Sequence, residues 1–344
     1  MCRFPKSTKD GQRAGQDLAG GFYGILLQLC GDLDYNCKWL ALPRWSAAER
    51  MCCLCKASLN GPLSWRNNRS DAAWISSCLN PDSWRVHYPN VSCIFNLTGL
   101  SGINVALDYM HCMYLGWLQS LYGSVLYLLV HHVMDGSPIE CLASIAHFIK
   151  NFQAKHDSKH RYRHRLSKLT MIKPKKGYPK LRGRAADIMG LGAAILSLWT
   201  EKSSPDDVAH RMIKVLLSLN VDIAHVLDSF SPRYGFFNVP EPQASKLFET
   251  GLTMAQLHSQ LFERYKLVGI KIFNQTSKTH FVLHSLQLAR HLHPFLVWCY
   301  KGETMMHKSQ RLWKSCLDGT KHYNVSNKAA VKYMYALHAR FQSN

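Results

Sequence analysis

The sequence predicts an α+β fold that is predominantly helical. Three observations predict it. Hydrophobic residues make up 47% of the 344 positions, enough to bury a sizeable core. One compact apolar run, Ile25 to Cys30, reads as a buried strand. Beyond Val105, apolar residues recur at spacings of three and four, the period of helices packed on one side.

Residues 1–18 read as a disordered lead-in. Residues 19–45 hold the strand, Asp32 at its end and a short amphipathic stretch. Residues 46–100 are rich in Cys, Trp, Asn, Ser and Pro and read as loops and short elements around a small site. Residues 101–278 are helical, with patterns at 105–133, 138–153, 185–200, 206–230 and 244–268. Ser204-Pro-Asp-Asp marks one helix start, because acidic groups favour a helix N-terminus. Residues 279–344 carry further helices, at 279–300, 304–317 and 326–342. The apolar run Met113 to Val133 raises a membrane question. Gln119 within it and His131 and His132 at its end favour a buried core helix, so no stable membrane insertion is expected.

Lys and Arg number 42 against 22 Asp and Glu, for a net charge of +20. Such an excess favours polyanions, since each phosphate neutralised releases counterions. The twelve Cys form no regular framework, and the first residues lack the apolar core of a signal peptide. Reduced thiols and an intracellular setting are expected, and the Asn-x-Ser/Thr triplets at 68, 90, 96, 274 and 324 read as chance matches. The chain contains no Walker loop, Gly-x-Gly-x-x-Gly or Gly-x-Ser-x-Gly, which counts against NTPase, dehydrogenase and hydrolase readings.

Six features could carry chemistry. Asp32, at a strand end, could hold a divalent ion, although on spacing alone an Asp that caps the next helix is favoured. Cys52-x-x-Cys55 is half of a zinc site, with Cys37, Cys78, His87 and Cys93 nearby as partners without characteristic spacing. Asp108 and His111 share a helix face, where a carboxylate could orient the imidazole or form an ordinary core hydrogen bond. His280 and His284, four apart, could chelate one metal or form one stripe of a His-rich helix. Glu303 opens a helix, where helix stabilisation is the plainer reading. The segment 159–184 holds eleven Lys or Arg and no acid. Arg161, Arg163, Arg165, Lys168, Lys173, Lys175, Lys176, Lys180, Arg182 and Arg184 are its candidate DNA contacts, with Tyr162 and Tyr178 interleaved. Its unrelieved self-repulsion favours an anionic partner over a solvated loop.

No single feature is specific, but their order is. The series Asp32, Cys52-x-x-Cys55, Asp108-x-x-His111, His280-x-x-x-His284, Glu303 resembles the CACTA, Mirage and Chapaev group of DDE transposases. The phrases GDLDYNCKWLALPRW, SDAAW, LDYMHCMYLGWLQSLYGSVL, YPKLRGRAADI and HPFLVWCYKGE also resemble transposon-derived proteins of dinoflagellates. The resemblance covers residues 19–342. It implies a partial RNase H-like core, interrupted by a long helical insertion, and a nuclear protein that acts on DNA, with self-association left open. It also implies that Asp32 and Glu303 are catalytic carboxylates for Mg²⁺ and that Asp108 and His111 support them. Cys52, Cys55, His280 and His284 would be zinc or structural positions. Only 31 residues precede Asp32, and they offer Asp10 and Asp17 in a polar or helix-like context. The first carboxylate is therefore expected to be missing, and the chain alone to be inactive. A non-enzymatic nucleic-acid-binding protein with a structural zinc site is the alternative. A glutamate on an earlier helix, Glu263, competes with Glu303 for the third carboxylate.

Overall fold

The computed structural model describes residues 26–156, 161–164, 166–317 and 319–342. For residues 301, 303–308, 322, 337 and 339–342 the description is confined to the backbone. The lead-in at 1–18, with Asp10 and Asp17, lies outside the described residues, as does Arg165.

The described chain is 59% helix and 3% strand. Its sheet is one parallel pair, β1 (Leu29–Cys30) and β2 (Val105–Ala106), with Leu29 opposite Val105 and Cys30 opposite Ala106. β2 corrects the expectation of helix from Val105 onward. The pair alone does not amount to an RNase H-like core.

α1 (Leu33–Lys38) follows β1, and the Asp32 carboxylate caps it by accepting from the Tyr35 amide at 2.7 Å. The irregular region then folds around short helices α2 (Ala73–Ser76) and α3 (Pro81–His87). Its Trp65, Trp74 and Trp84 are all buried and join the main core, so this region is well packed despite its few regular elements.

After β2, α4 runs from Met110 to Val133, with wider π turns at both ends and an α segment at Gln119–Leu128. It is long and apolar enough to cross a membrane, yet 83% of its apolar window is buried inside the fold. Helices α5 (Pro138–Lys155), α6 (Ala185–Met189), α7 (Gly192–Lys202), α8 (Val208–Ser229) and α9 (Gln243–Leu267) follow. The pattern expected over 185–200 is split at Gly190, the C-cap of α6. The expected start at Ser204 resolves to Asp207, whose carboxylate accepts from the His210 amide at 3.0 Å.

The pattern expected over 279–300 is α10 (Lys278–Leu288) and α11 (Pro294–Val297), parted because Pro294 cannot continue a helix. α12 (Tyr300–Leu317) and α13 (Val325–Gln342) close the chain and share a small cluster of Cys316, Val325 and Ala329. The main core joins residues from Leu29 to Ala289. Within it α9 packs on α8 and α10, and α10 packs on the first half of α4. That last contact carries the histidines of α10 toward the Cys-rich region.

Candidate metal centre and basic surface

Cys52, Cys55, His280 and His284 meet in the core. Their ligand atoms all lie within 4.8 Å of one another, and all four residues are buried. The Cys55 Sγ stands 3.4 Å from His280 Nε2 and 3.3 Å from His284 Nε2. A tetrahedral site with metal–sulfur bonds of about 2.3 Å and metal–nitrogen bonds of about 2.0 Å places such atoms about 3.5 Å apart. The cluster is therefore one that could bind a metal such as zinc. Four protein donors leave no open position, the mark of a structural site rather than a catalytic one. The residue spacing had left Cys37, Cys78, His87 and Cys93 as partners for the cysteine pair; the fold supplies two histidines of α10 in their place.

Each donor is positioned by neighbours. An antiparallel backbone bridge pairs Cys55 with Cys78, and the Trp84 indole donates to the Cys53 carbonyl at 2.8 Å. These contacts fix the turn that aims both thiols one way. Four-residue spacing puts His280 and His284 on one face of α10. Trp74 closes that face edge-on, its ring centre 4.5 Å from His280 and 5.2 Å from His284. The Gln287 carboxamide oxygen stands 3.1 Å from His284 Nδ1, which directs Nε2 toward Cys55. Burial raises the Cys52 thiol, but its hydrogen bond with Cys55 and the two imidazoles outweigh this and hold it well below the usual thiol range. Its partner Cys55 is raised by that same hydrogen bond and by burial. A shared proton is what a thiol pair holds before a cation replaces it.

Asp32 and Asp108 each stand two residues beyond the paired ends of the parallel strands. Asp108 is 1% exposed. Its Oδ1 accepts from the amides of Met110 and Cys299, both at 3.1 Å, and its Oδ2 makes a close contact with His111 Nδ1. The carboxylate thus ties β2, α4 and the residue just before α12 together. Burial first, then the charge of Asp108, raises the Cys299 thiol, and Asp32 contributes to the same rise. The strand ends and the start of α12 are therefore neighbours. Glu303 lies in the first turns of α12, and its side chain is outside the described residues. Glu263 is exposed on α9 and pairs with Lys266 at 3.4 Å.

The described carboxylates do not support a two-magnesium site. Asp32 uses one oxygen as a helix cap, and both Asp108 oxygens are engaged. Among the described residues the Cys and His cluster is the one group of three or more ligating side chains close enough to share an ion.

The basic segment is pinned rather than loose. The Leu181 amide donates to the Gln119 carbonyl, the Gln119 carboxamide donates to the Gly183 carbonyl, and the Tyr162 hydroxyl donates to the Arg182 carbonyl. Lys168, Lys175, Lys176, Lys180, Arg182 and Arg184 are exposed. Arg161 and Arg163 line a hollow of about 1060 Å³ against α5. Lys173 instead lies over the Tyr127 ring, 4.3 Å from its centre. Just past the segment, buried Asp187 pairs with Arg184 at 3.1 Å and His164 at 3.3 Å, so the self-repulsion expected from the sequence is partly relieved.

No family model, curated protein or solved structure matches the chain.

Proposed function

We propose that this chain is a nuclear DNA-handling protein of DDE transposase descent, held together by a structural zinc ion on Cys52, Cys55, His280 and His284. One observation carries the reading. The resemblance made Cys52, Cys55, His280 and His284 zinc or structural positions, and the two pairs, separated by 225 positions, share one buried cluster. Two thiolates with two imidazoles in a closed, buried set suit zinc better than the oxygen-seeking ions.

With the Cys and His cluster as the one candidate ion site among the described residues, we favour the non-enzymatic form of this reading: DNA is bound, and strand cleavage is a property of the ancestry rather than of this chain alone. The exposed cations of the 159–184 segment supply the DNA contacts.

A salt titration of duplex DNA binding tests it. Affinity should fall steeply as salt rises, and the dependence should flatten when Lys168, Lys175, Lys176 and Lys180 are neutralised together, by about one unit of log–log slope for each phosphate that no longer meets a cation. Neutralising Lys173 should matter less, since Tyr127 already occupies its ammonium. Affinity indifferent to salt would remove DNA as the partner.

A further inference from the structure

α4 carries three small residues on one face, Gly116, Ser120 and Gly123. A Cβ on Gly116 would lie 2.5 Å from Lys278 Cδ, and one on Gly123 would lie 2.7 Å from the Lys180 backbone nitrogen. The bare face therefore lets two cation-bearing segments, 174–180 and the start of α10, settle onto the same helix. Between them and the loop at 45–65 runs a groove of about 680 Å³.

Its lining combines Trp45, Trp65 and Tyr178 with Lys176, Lys180 and Lys278, and no acidic residue takes part. Ser120, 7% exposed, also lines it, and its hydroxyl has no hydrogen-bond partner. Partial burial, and then the charge of Lys278, lowers the Lys180 ammonium below its ordinary pKa. Lys278 donates to the His111 carbonyl at 3.1 Å, which sets its position on α4. Cations that oppose one another without a carboxylate between them are the arrangement an anion relieves. The half-buried rings of Trp45 and Tyr178 beside those cations add a surface for flat rings, with buried Trp65 serving only as wall.

We propose that this groove binds an unpaired stretch of single-stranded DNA, with bases stacked on its aromatic side chains and phosphates on its lysines. The proposal rests on the DNA reading above and adds to it which form of DNA is held, and where. A paired duplex hides its base faces, so only unpaired nucleotides present both groups together. The volume falls in the range that encloses small ligands, a nucleotide or two rather than a duplex.

The test titrates the full chain with a twelve-residue oligothymidylate, read by tryptophan fluorescence, beside a duplex of the same length, thymidine monophosphate and inorganic phosphate. The oligothymidylate should quench emission. Trp45→Ala, and separately the pair Lys176→Gln and Lys180→Gln, should each weaken its binding about tenfold. Trp45→Phe should restore most of the loss, while the pair Lys214→Gln and Lys246→Gln, exposed and outside both the groove and the basic segment, should change it less than about threefold. Unchanged metal content and melting temperature show that the variants fold. Equal affinity in the groove variants overturns the proposal, and so does monophosphate or phosphate binding as tight as the oligomer's. Duplex binding retained without oligothymidylate binding sinks the groove and leaves the DNA reading standing; loss of both sinks both.

Discussion

Cys55 and His284, 229 positions apart, stand sulfur to nitrogen at 3.3 Å in the middle of the core. Nothing local brings them together. α10 must pack on α4, and the Cys-rich loops must pack on α10, before either residue meets its partner. The cluster is therefore a product of the whole fold, and a bound ion would in turn hold that fold closed.

Purified protein should contain about one equivalent of zinc, and Cys55→Ser should abolish it, since three donors hold the ion far more weakly than four. Binding energy at such a site adds to folding energy, so a chelator should lower the melting temperature sharply. Metal analysis with a thermal melt checks this. Metal-free protein of unchanged stability would remove the zinc site.

Trp74 tests how much of the centre is scaffold. It is fully buried and touches both histidine rings. Trp74→Ala should destabilise the protein by about 3–5 kcal/mol. It should also weaken zinc binding by about one to two orders of magnitude, as loss of an orienting neighbour does elsewhere. Competition with a chromogenic chelator measures the second effect apart from the first.

Asp108→Asn keeps the shape of a buried side chain but removes its charge. The contacts with His111 and the Cys299 amide should weaken, at about 2 kcal/mol of stability. Hydrogen exchange at the Cys299 amide should quicken more than exchange along α8. Unchanged exchange there would mean that Asp108 does not fasten the start of α12.

Gly123→Ala puts a methyl group against backbone that cannot turn away, 2.7 Å from the Lys180 nitrogen. The variant should lose about 1–3 kcal/mol. Gly177→Ala is a control of another kind: it meets no atom within 4 Å but has a positive φ of 93°, so it is strained by backbone alone. Urea unfolding of both separates crowding from conformational strain.

Two buried histidines set an acid limit. His258 is 1% exposed beside Trp117 and Phe273, its Nε2 has no partner, and burial pushes its pKa down to about 3. Burial takes His293 down to about 4, against an opposing contact with the Leu227 carbonyl. The unfolded imidazole takes its proton near pH 6.5, while the folded one stays neutral until far lower. In that window the unfolded chain binds more protons, so stability falls as pH falls. His258 should contribute roughly 1.4 kcal/mol per pH unit between about pH 6 and about pH 4. Unfolding free energies for His258→Gln over that range should show a shallower slope by that amount; an identical slope would mean that His258 is charged or exposed in the native state.

Most helices were legible because their ends carry their own signals. Asp207, within the expected Ser204-Pro-Asp-Asp start, caps α8, whereas the single helix expected over 279–300 is two, α10 and α11. β2 was not legible. Two residues, Val105 and Ala106, are too few to show a period of two, and their partner strand lies 76 positions earlier. In the metal cluster each pair was visible from its spacing, but their union came only from the transposase-like order of motifs. The readings of Asp32 as a helix cap and of Asp108 as a buried partner of His111 came from spacing alone, and both agree with the contacts observed. The groove was legible on one side, where Lys176, Tyr178 and Lys180 belong to the basic segment; Trp45, Trp65 and Lys278 come from distant segments that carry no shared pattern.

The cysteine pair precedes α4 and the histidine pair follows α9, so the ion would join what a cut between them divides. A protease that nicks the exposed turn at 135–137 would leave two polypeptides, each with half of the ligands. They should travel as a single species through a sizing column and come apart more readily once the metal is stripped, which makes the chain a natural subject for reconstitution from separately made halves.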